Sequence, residues 1–320
     1  MNSKVKKTLL VSAGLTLLLA GCGKNSGASD AQDDAKLNVV TTFYPMYEFS
    51  RQVGGEHANV TALIPPGVEP HDWEPSAKDM VKLKEADVFV YNGIVEGWAE
   101  DALSSAANDK RLVVKASEGI TLMEGLPEEE EEGEEAHEHE HEHEDHALDP
   151  HVWLNPVLAQ QEVAAIEAAF ELADPEHKDD YKKNAEAYIA ELKKLDEQYQ
   201  AGLKDTKRKE FVTQHAAFGY LAKQYGLTQV PIAGLSPEQE PSPASMADIA
   251  EFAKQHQVKT IFFETLVEPK VAQTVADEIG AKTDVLNPLE GLTDEDRKNN
   301  LDYIGIMKNN LEALKKALNE

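Results

Sequence analysis

DPEHKDDYKKNAEAYIAELKKLDEQYQAGLK, residues 174–204, is the stretch on which the fold turns. Its apolar positions Tyr181, Ala185, Tyr188, Ile189, Leu192, Leu195, Tyr199 and Leu203 recur by threes and fours, the period of one helix face. A helix of about 30 residues would rise roughly 45 Å, longer than a domain of this size is wide. It is either an ordinary packed helix of one larger domain or a spine between two. The sequence on either side favours the spine.

Upstream, Leu37–Phe43 predicts a strand and Tyr44–Val53 a helix, with Met46, Phe49 and Val53 at helical spacing. Val60–Ile64 predicts a second strand, which stops at Pro65-Pro66-Gly67. Ser76 caps a helix to Ala86, with Asp79 in the capping-box position. Val88–Tyr91 is a strand, Glu96–Ala107 a helix and Leu112–Val114 a strand. Asn155-Pro156 then opens a helix to Leu172 with proline at its first position. Downstream the plan returns. Strands fall at Glu210–Gln214, Gln229–Ile232, Thr260–Phe263 and Asp284–Leu286, and helices at Ala217–Tyr225, from Ser242-Pro243 to His256, at Pro269–Ile279 and at Thr293–Leu318. Strands alternating with helices argue for parallel sheets covered on both faces. The expected fold is α/β: two lobes, each a roughly four-stranded parallel sheet flanked by helices, joined by one long rigid helix. The lobes fall at residues 37–173 and 206–320, with the linking helix at 174–205. The repetition is of architecture; no short-period sequence repeat is visible.

The chain has 320 residues and a formal charge of −28. That charge argues against nucleic acid and anionic membrane surfaces as partners and suits cations. Much of it comes from Glu128–Asp145. At the N-terminus, Lys4, Lys6 and Lys7 precede the apolar run Thr8–Ala20, shorter than the roughly 20 residues of a membrane span but suited to a signal peptide. The run ends Leu18-Leu19-Ala20-Gly21-Cys22, which resembles a bacterial lipoprotein signal. Residues 1–21 then read as the leader, Cys22 as the lipidation site and 22–36 as a flexible tether. The alternative is a secreted protein with a stray thiol. With a single cysteine an intramolecular disulfide is impossible. The expected location is the extracytoplasmic face of the cell membrane, held there only by the lipid anchor.

Four residues sit where ligands bind in open α/β sheets, beyond the carboxyl ends of strands. They are His71 in Gly67-Val68-Glu69-Pro70-His71-Asp72-Trp73-Glu74-Pro75, His151 in Asp149-Pro150-His151-Val152-Trp153-Leu154-Asn155-Pro156, His215 in Phe211-Val212-Thr213-Gln214-His215, and Glu290 in Leu286-Asn287-Pro288-Leu289-Glu290-Gly291. Two belong to each lobe, and prolines at 70, 75, 150 and 156 stiffen the loops. A lone loop histidine is more often a surface residue; joint placement raises the case for a metal site. Three neutral imidazoles and a carboxylate suit tetrahedral Zn²⁺, whereas manganese prefers more oxygen. Affinity alone would not exclude Cu²⁺ or Ni²⁺. Glu264, at the end of a strand, is either a partner for a ligand histidine or an acid paired with a lysine.

Together with Val40-Thr41-Thr42-Phe43-Tyr44-Pro45 and Gln214-His215-Ala216-Ala217-Phe218-Gly219-Tyr220, these motifs resemble the zinc-binding lipoproteins of bacterial zinc-uptake ABC transporters, in the metal-specific class of solute-binding proteins. The resemblance covers essentially the whole mature chain. It implies two lobes with metal between them, ligation by His71, His151 and His215, and Glu290 at a fourth position where family members carry a carboxylate or water. Manganese-binding relatives generally carry a carboxylate where His215 stands, which favours zinc. The implied partners are an ABC permease and its ATPase, with the protein acting as a monomer.

Glu128–His146 is low in complexity, with His137, His139, His141, His143 and His146 interleaved with acids. Such tracts bind metal through adaptable sets of imidazoles and carboxylates. The segment is either an auxiliary zinc-gathering loop or a solvated insert. Its two matches to H-E-x-x-H lack any apolar helix face and carry no protease reading. A zinc-dependent hydrolase would need an open coordination position, and no independent general base or nucleophile is visible, so the chain reads as a non-enzyme. An adhesin using the same fold is a further alternative.

Overall fold

The computed structural model describes residues 36–125, 147–239 and 241–320. The leader, Cys22, the tether up to residue 35 and the five loop histidines lie outside them. Lys36–Glu320 forms one compact unit.

The first sheet holds β1 (Leu37–Thr41), β2 (Ala58–Ala62), β3 (Val88–Tyr91) and β4 (Leu112–Lys115) in the order β2-β1-β3-β4, all parallel. The second repeats this plan with β5 (Glu210–Thr213), β6 (Thr228–Pro231), β7 (Thr260–Phe263) and β8 (Lys282–Val285), in the order β6-β5-β7-β8. Each first strand is central, with its successors on either side, so the chain reverses direction across the sheet beside it. That crevice beyond the strand ends is where ligands bind in such sheets.

Helices α1 (Tyr44–Gly54), α2 (Ala77–Glu85) and α3 (Ala99–Ser105) belong to the first sheet. The Ser76–Asp79 capping box starts α2 as expected. A 3₁₀ turn at Val152–Leu154 leads into α4 (Pro156–Ala173), whose N-cap Asn155 accepts from Val157 N–H. The long helix α5 spans Lys178–Leu203, about 39 Å at 1.5 Å per residue. It begins later than the sequence suggests. The residue before a proline is pushed out of helical geometry, and Asp174 closes α4 while its carboxylate accepts from Tyr181 Oη (2.8 Å).

In the second half, α6 (Gly219–Tyr225), α7 (Pro243–Gln255) and α8 (Lys270–Ile279) follow. The expected final helix is two: α9 (Asp294–Lys298) and α10 (Tyr303–Leu318). Asn300 takes a left-handed φ of 52°, the Leu301 N–H turns back to Asp296 O, and Asp302 caps the new helix at Gly305 N–H. Asparagine is the non-glycine residue that tolerates this conformation best.

One core runs through both halves. Val39 and Val90 of the first sheet, Phe211 and Phe262 of the second, and the α5 stripe Tyr181, Ala185, Tyr188, Leu192, Leu195, Tyr199 and Leu203 all belong to it. The outer faces carry separate clusters under α2–α3 and α7–α8. Among the described residues no helix is long and apolar enough to cross a membrane.

Candidate metal centre

Three chain segments reach the crevice with a proline or strand end fixing each. Glu69-Pro70-His71 and Asp149-Pro150-His151 use the same device. The acid accepts the backbone N–H of the histidine two residues on, at 3.0 Å to each oxygen of Glu69 and 2.9 Å to Asp149 Oδ1. His215 follows β5, and its N–H goes to Glu264 Oε1 at 3.1 Å. Glu290 is presented by a fourth turn, in which Leu289 holds a left-handed φ of 59°. A bulky residue pays for that conformation, and here Asn287 Oδ1 accepts the Leu289 N–H while Asn310 accepts from Asn287 N–H and donates to its carbonyl.

The structure brings His71, His151, His215 and Glu290 together, one ligand atom from each lying within 4.8 Å of all the others. Glu290 Oε1 stands 3.1 Å from His71 Nε2, 3.4 Å from His151 Nε2 and 3.5 Å from His215 Nε2, and the last two nitrogens are 3.3 Å apart. A tetrahedron with bonds of about 2.0–2.1 Å has edges of about 3.3–3.4 Å. These four of the six donor–donor separations therefore already sit near the spacing that tetrahedral Zn²⁺ requires.

The buried histidines are oriented from behind. Asp149 Oδ1 lies 2.8 Å from His151 Nδ1, and Glu264 Oε1 lies 2.5 Å from His215 Nδ1. With Nδ1–H donating to a carboxylate, each Nε2 faces the centre and offers its lone pair there once its own proton is lost. Of the two sequence readings of Glu264, the geometry is that of a histidine partner. His71 has no such carboxylate on Nδ1 among the described residues. It is 12% exposed and borders a cavity of about 510 Å³ that Trp73, Trp98, Asp72, Glu74 and Asp101 also line.

Charge is tightly coupled here. Burial opposes an ionised Glu290, but His215 and the other two histidines prevail and hold it well below the usual carboxylate range. Burial likewise opposes a charged His215, yet Glu264 and Glu290 raise it above the usual imidazole range. His151 is raised too, with Asp149 and Glu290 overcoming burial. Burial raises Glu69.

Sequence reasoning missed Asp149 and Glu69 as partners, although the repeated acid-Pro-His pattern is their signal. It also missed the ties between the halves. Trp153 Nε1 donates to Pro288 O (2.8 Å), Tyr303 Oη donates to Trp153 O (2.5 Å), and Tyr220 Oη donates to Asp149 O (2.8 Å).

Comparison with known proteins bears on this geometry. The family described as zinc-uptake complex component A, periplasmic (ZnuA), matches residues 39–317. The high-affinity zinc uptake system protein ZnuA of Bacillus subtilis (strain 168) is 55% identical over 313 residues, 97% of each chain. The solved Zn(II)-bound ZnuA-like domain of Streptococcus pneumoniae AdcA is 45% identical, with a TM-score of 0.75 over 89% of this chain and 100% of that one. The chain spans 61% of the full-length AdcA of that organism. The laminin-binding protein Lmb of Streptococcus agalactiae, described as bifunctional with adhesin and metal-transporting activity, is 38% identical, with a TM-score of 0.76 over 88% of this chain and 99% of that one.

Proposed function

The chain belongs to the ZnuA family of zinc-uptake components, and from that premise we propose that it captures Zn²⁺ on His71, His151, His215 and Glu290 and delivers it to an ABC permease driven by an ATPase. The observation that carries this is the convergence of three imidazole nitrogens on one carboxylate oxygen at 3.1–3.5 Å. Three nitrogens and an oxygen suit zinc over manganese.

The family role is uptake and not catalysis. With Glu290 closing the fourth position, the four protein donors would fill a tetrahedron and leave no open position for a hydrolytic water. The halves 37–173 and 206–320 act as lobes around the ion. Their shared core and cross-ties support a small adjustment on loading in place of wide hinge closure. Lipidation at Cys22 holds the monomer at the extracytoplasmic membrane face, and the histidines between 137 and 146 serve as an auxiliary zinc-gathering tract. The likeness to Lmb favours a second reading, in which the same surface lipoprotein also binds host matrix; immobilised laminin tests it directly.

Competitive zinc titration separates the interlobe site from the histidine tract. The full chain, His215→Ala, and a version lacking Glu128–His146 are compared. One tight equivalent, lost in His215→Ala and kept without the tract, is expected. Tight binding that vanished with the tract and survived His215→Ala would sink the reading.

A further inference from the structure

Tyr220 stands apart from the metal ligands, yet its hydroxyl joins two features that are otherwise separate. It donates to Asp149 O at 2.8 Å and accepts from Met123 N–H at 2.8 Å. Met123 opens a short antiparallel stem: Asp149 N–H donates to Met123 O (2.9 Å), Glu124 bridges Leu148, and Gly125 N–H donates to Ala147 O (2.7 Å). The stem zips together the chain on either side of residues 126–146. Its last member, Asp149, also holds His151 by Nδ1 and by the backbone N–H. The Tyr220 ring packs with Ile120 and with Val152, the residue next to His151. At Gly219 a Cβ would lie 2.8 Å from Asp149 Oδ2, so glycine lets α6 approach the carboxylate this closely.

We propose that Tyr220 is a positioning residue that couples the stem to the metal centre. The stem's closure, read through one phenol and Asp149, fixes the His151 ring; opening the stem frees that ring and speeds zinc release. This deepens the capture-and-delivery reading and rests on it. A contiguous chain of buried hydrogen bonds, here from Met123 through Tyr220 Oη to Asp149, is the kind of physical network that can carry such coupling.

The test uses the full chain loaded with Zn²⁺ and stopped-flow release into a chelator. Tyr220→Phe keeps the packed ring and removes both hydrogen bonds; release should accelerate by about 3–10-fold, below the roughly 10–100-fold of a group bonded directly to a ligand, because Tyr220 acts one step further out, through Asp149. Gly125→Pro removes the donor to Ala147 O and crowds that carbonyl, opening the stem without touching Tyr220. It should accelerate release in the wild-type background and add less than about threefold on top of Tyr220→Phe, since coupled positions are non-additive. Circular dichroism confirms that each variant is folded. Unchanged release in folded Tyr220→Phe, or effects of the two substitutions that multiply, would overturn the coupling while leaving the zinc site intact. Tight zinc binding that survives His215→Ala would instead overturn the site reading and the coupling with it.

Discussion

His71 and His215 turn the same ring atom toward the same cluster, but the protein holds them in opposite ways. His215 is fully buried, two residues beyond the end of a central strand. Its ring and its N–H both meet Glu264, and its carbonyl accepts from Thr213 Oγ1 and Gln229 Nε2. His71 stands in a loop without regular structure, gripped through its backbone N–H by Glu69 and bordering an open cavity. On the proposed reading the first is a wall and the second an entrance. The difference teaches that affinity and access can be assigned to different arms of one site, because a ligand fixed from behind loses little entropy on binding while an exposed one can be replaced by water.

The largest effect that would break this comparison comes from deleting each ring. Zinc sites of four protein ligands reach roughly 10–16 kcal/mol, so one ligand accounts for about 10²–10³-fold in affinity. His215→Ala is expected at the top of that range and His71→Ala about tenfold milder. The metal-free proteins should differ as well. Without His215, Glu264 and Glu290 are buried carboxylates that have lost their main counter-charge, a strongly destabilising arrangement. Without His71, Glu290 keeps two histidines. Thermal melts of the metal-free variants should therefore show a clear drop for His215→Ala and little for His71→Ala. Equal losses in both affinity and stability would erase the distinction.

Acidity sharpens the same contrast. His215 is raised in the folded protein, so its charged form stabilises the metal-free fold fully below the unfolded imidazole value of about 6.5. That contribution fades as pH rises through the raised value. Glu290 is depressed, so its contribution is present above the unfolded carboxylate value and lost as pH falls through the depressed one. Zinc needs the neutral ring, so loading expels a proton. Affinity should consequently climb at least about tenfold per pH unit from mildly acid through neutral pH, while the metal-free melting temperature declines on the alkaline side. Glu264→Gln should weaken zinc by about 10–100-fold and flatten the slope around neutrality, because the ring then titrates lower. Calorimetry in buffers of different ionisation enthalpy counts the released proton. A slope unchanged in Glu264→Gln would mean that His215 does not carry it.

Much of this was legible in the sequence, and the limits have a physical pattern. The strands, the helix faces and the stiff loops around His71, His151 and His215 are local signals within a few residues. The four residues that cluster could be nominated because β-strand ends mark them. What escaped are contacts set by packing alone. Trp153 reaches Pro288 across 135 residues, and the Asn287–Asn310 pair holds a left-handed Leu289 that no local propensity favours. The break between α9 and α10 was missed for the opposite reason. The apolar spacing of Leu301, Ile304 and Leu311 runs on through it, and the local Asn299-Asn300 and Asp302 signals were outweighed by that period.

The smallest expected effect is the most exacting test of the wall and the entrance. Glu69 and Glu264 are both acids that accept a ligand histidine's N–H, and only Glu264 also reaches Nδ1. Glu69→Gln keeps a carbonyl oxygen for the His71 N–H, so equilibrium affinity should change by less than about threefold, the range of one retained neutral hydrogen bond. What the substitution removes is a negative charge 3.9 Å from His71 Nε2, beside the cavity. A cation approaching from that side should associate about two- to threefold more slowly at low ionic strength, with the deficit fading near 0.15 M salt as the charge is screened. Stopped-flow association at the two salt concentrations measures both quantities. If Glu69→Gln lowered affinity as far as Glu264→Gln and left the association rate alone, His71 would be a second wall, and the cation would have to enter from elsewhere.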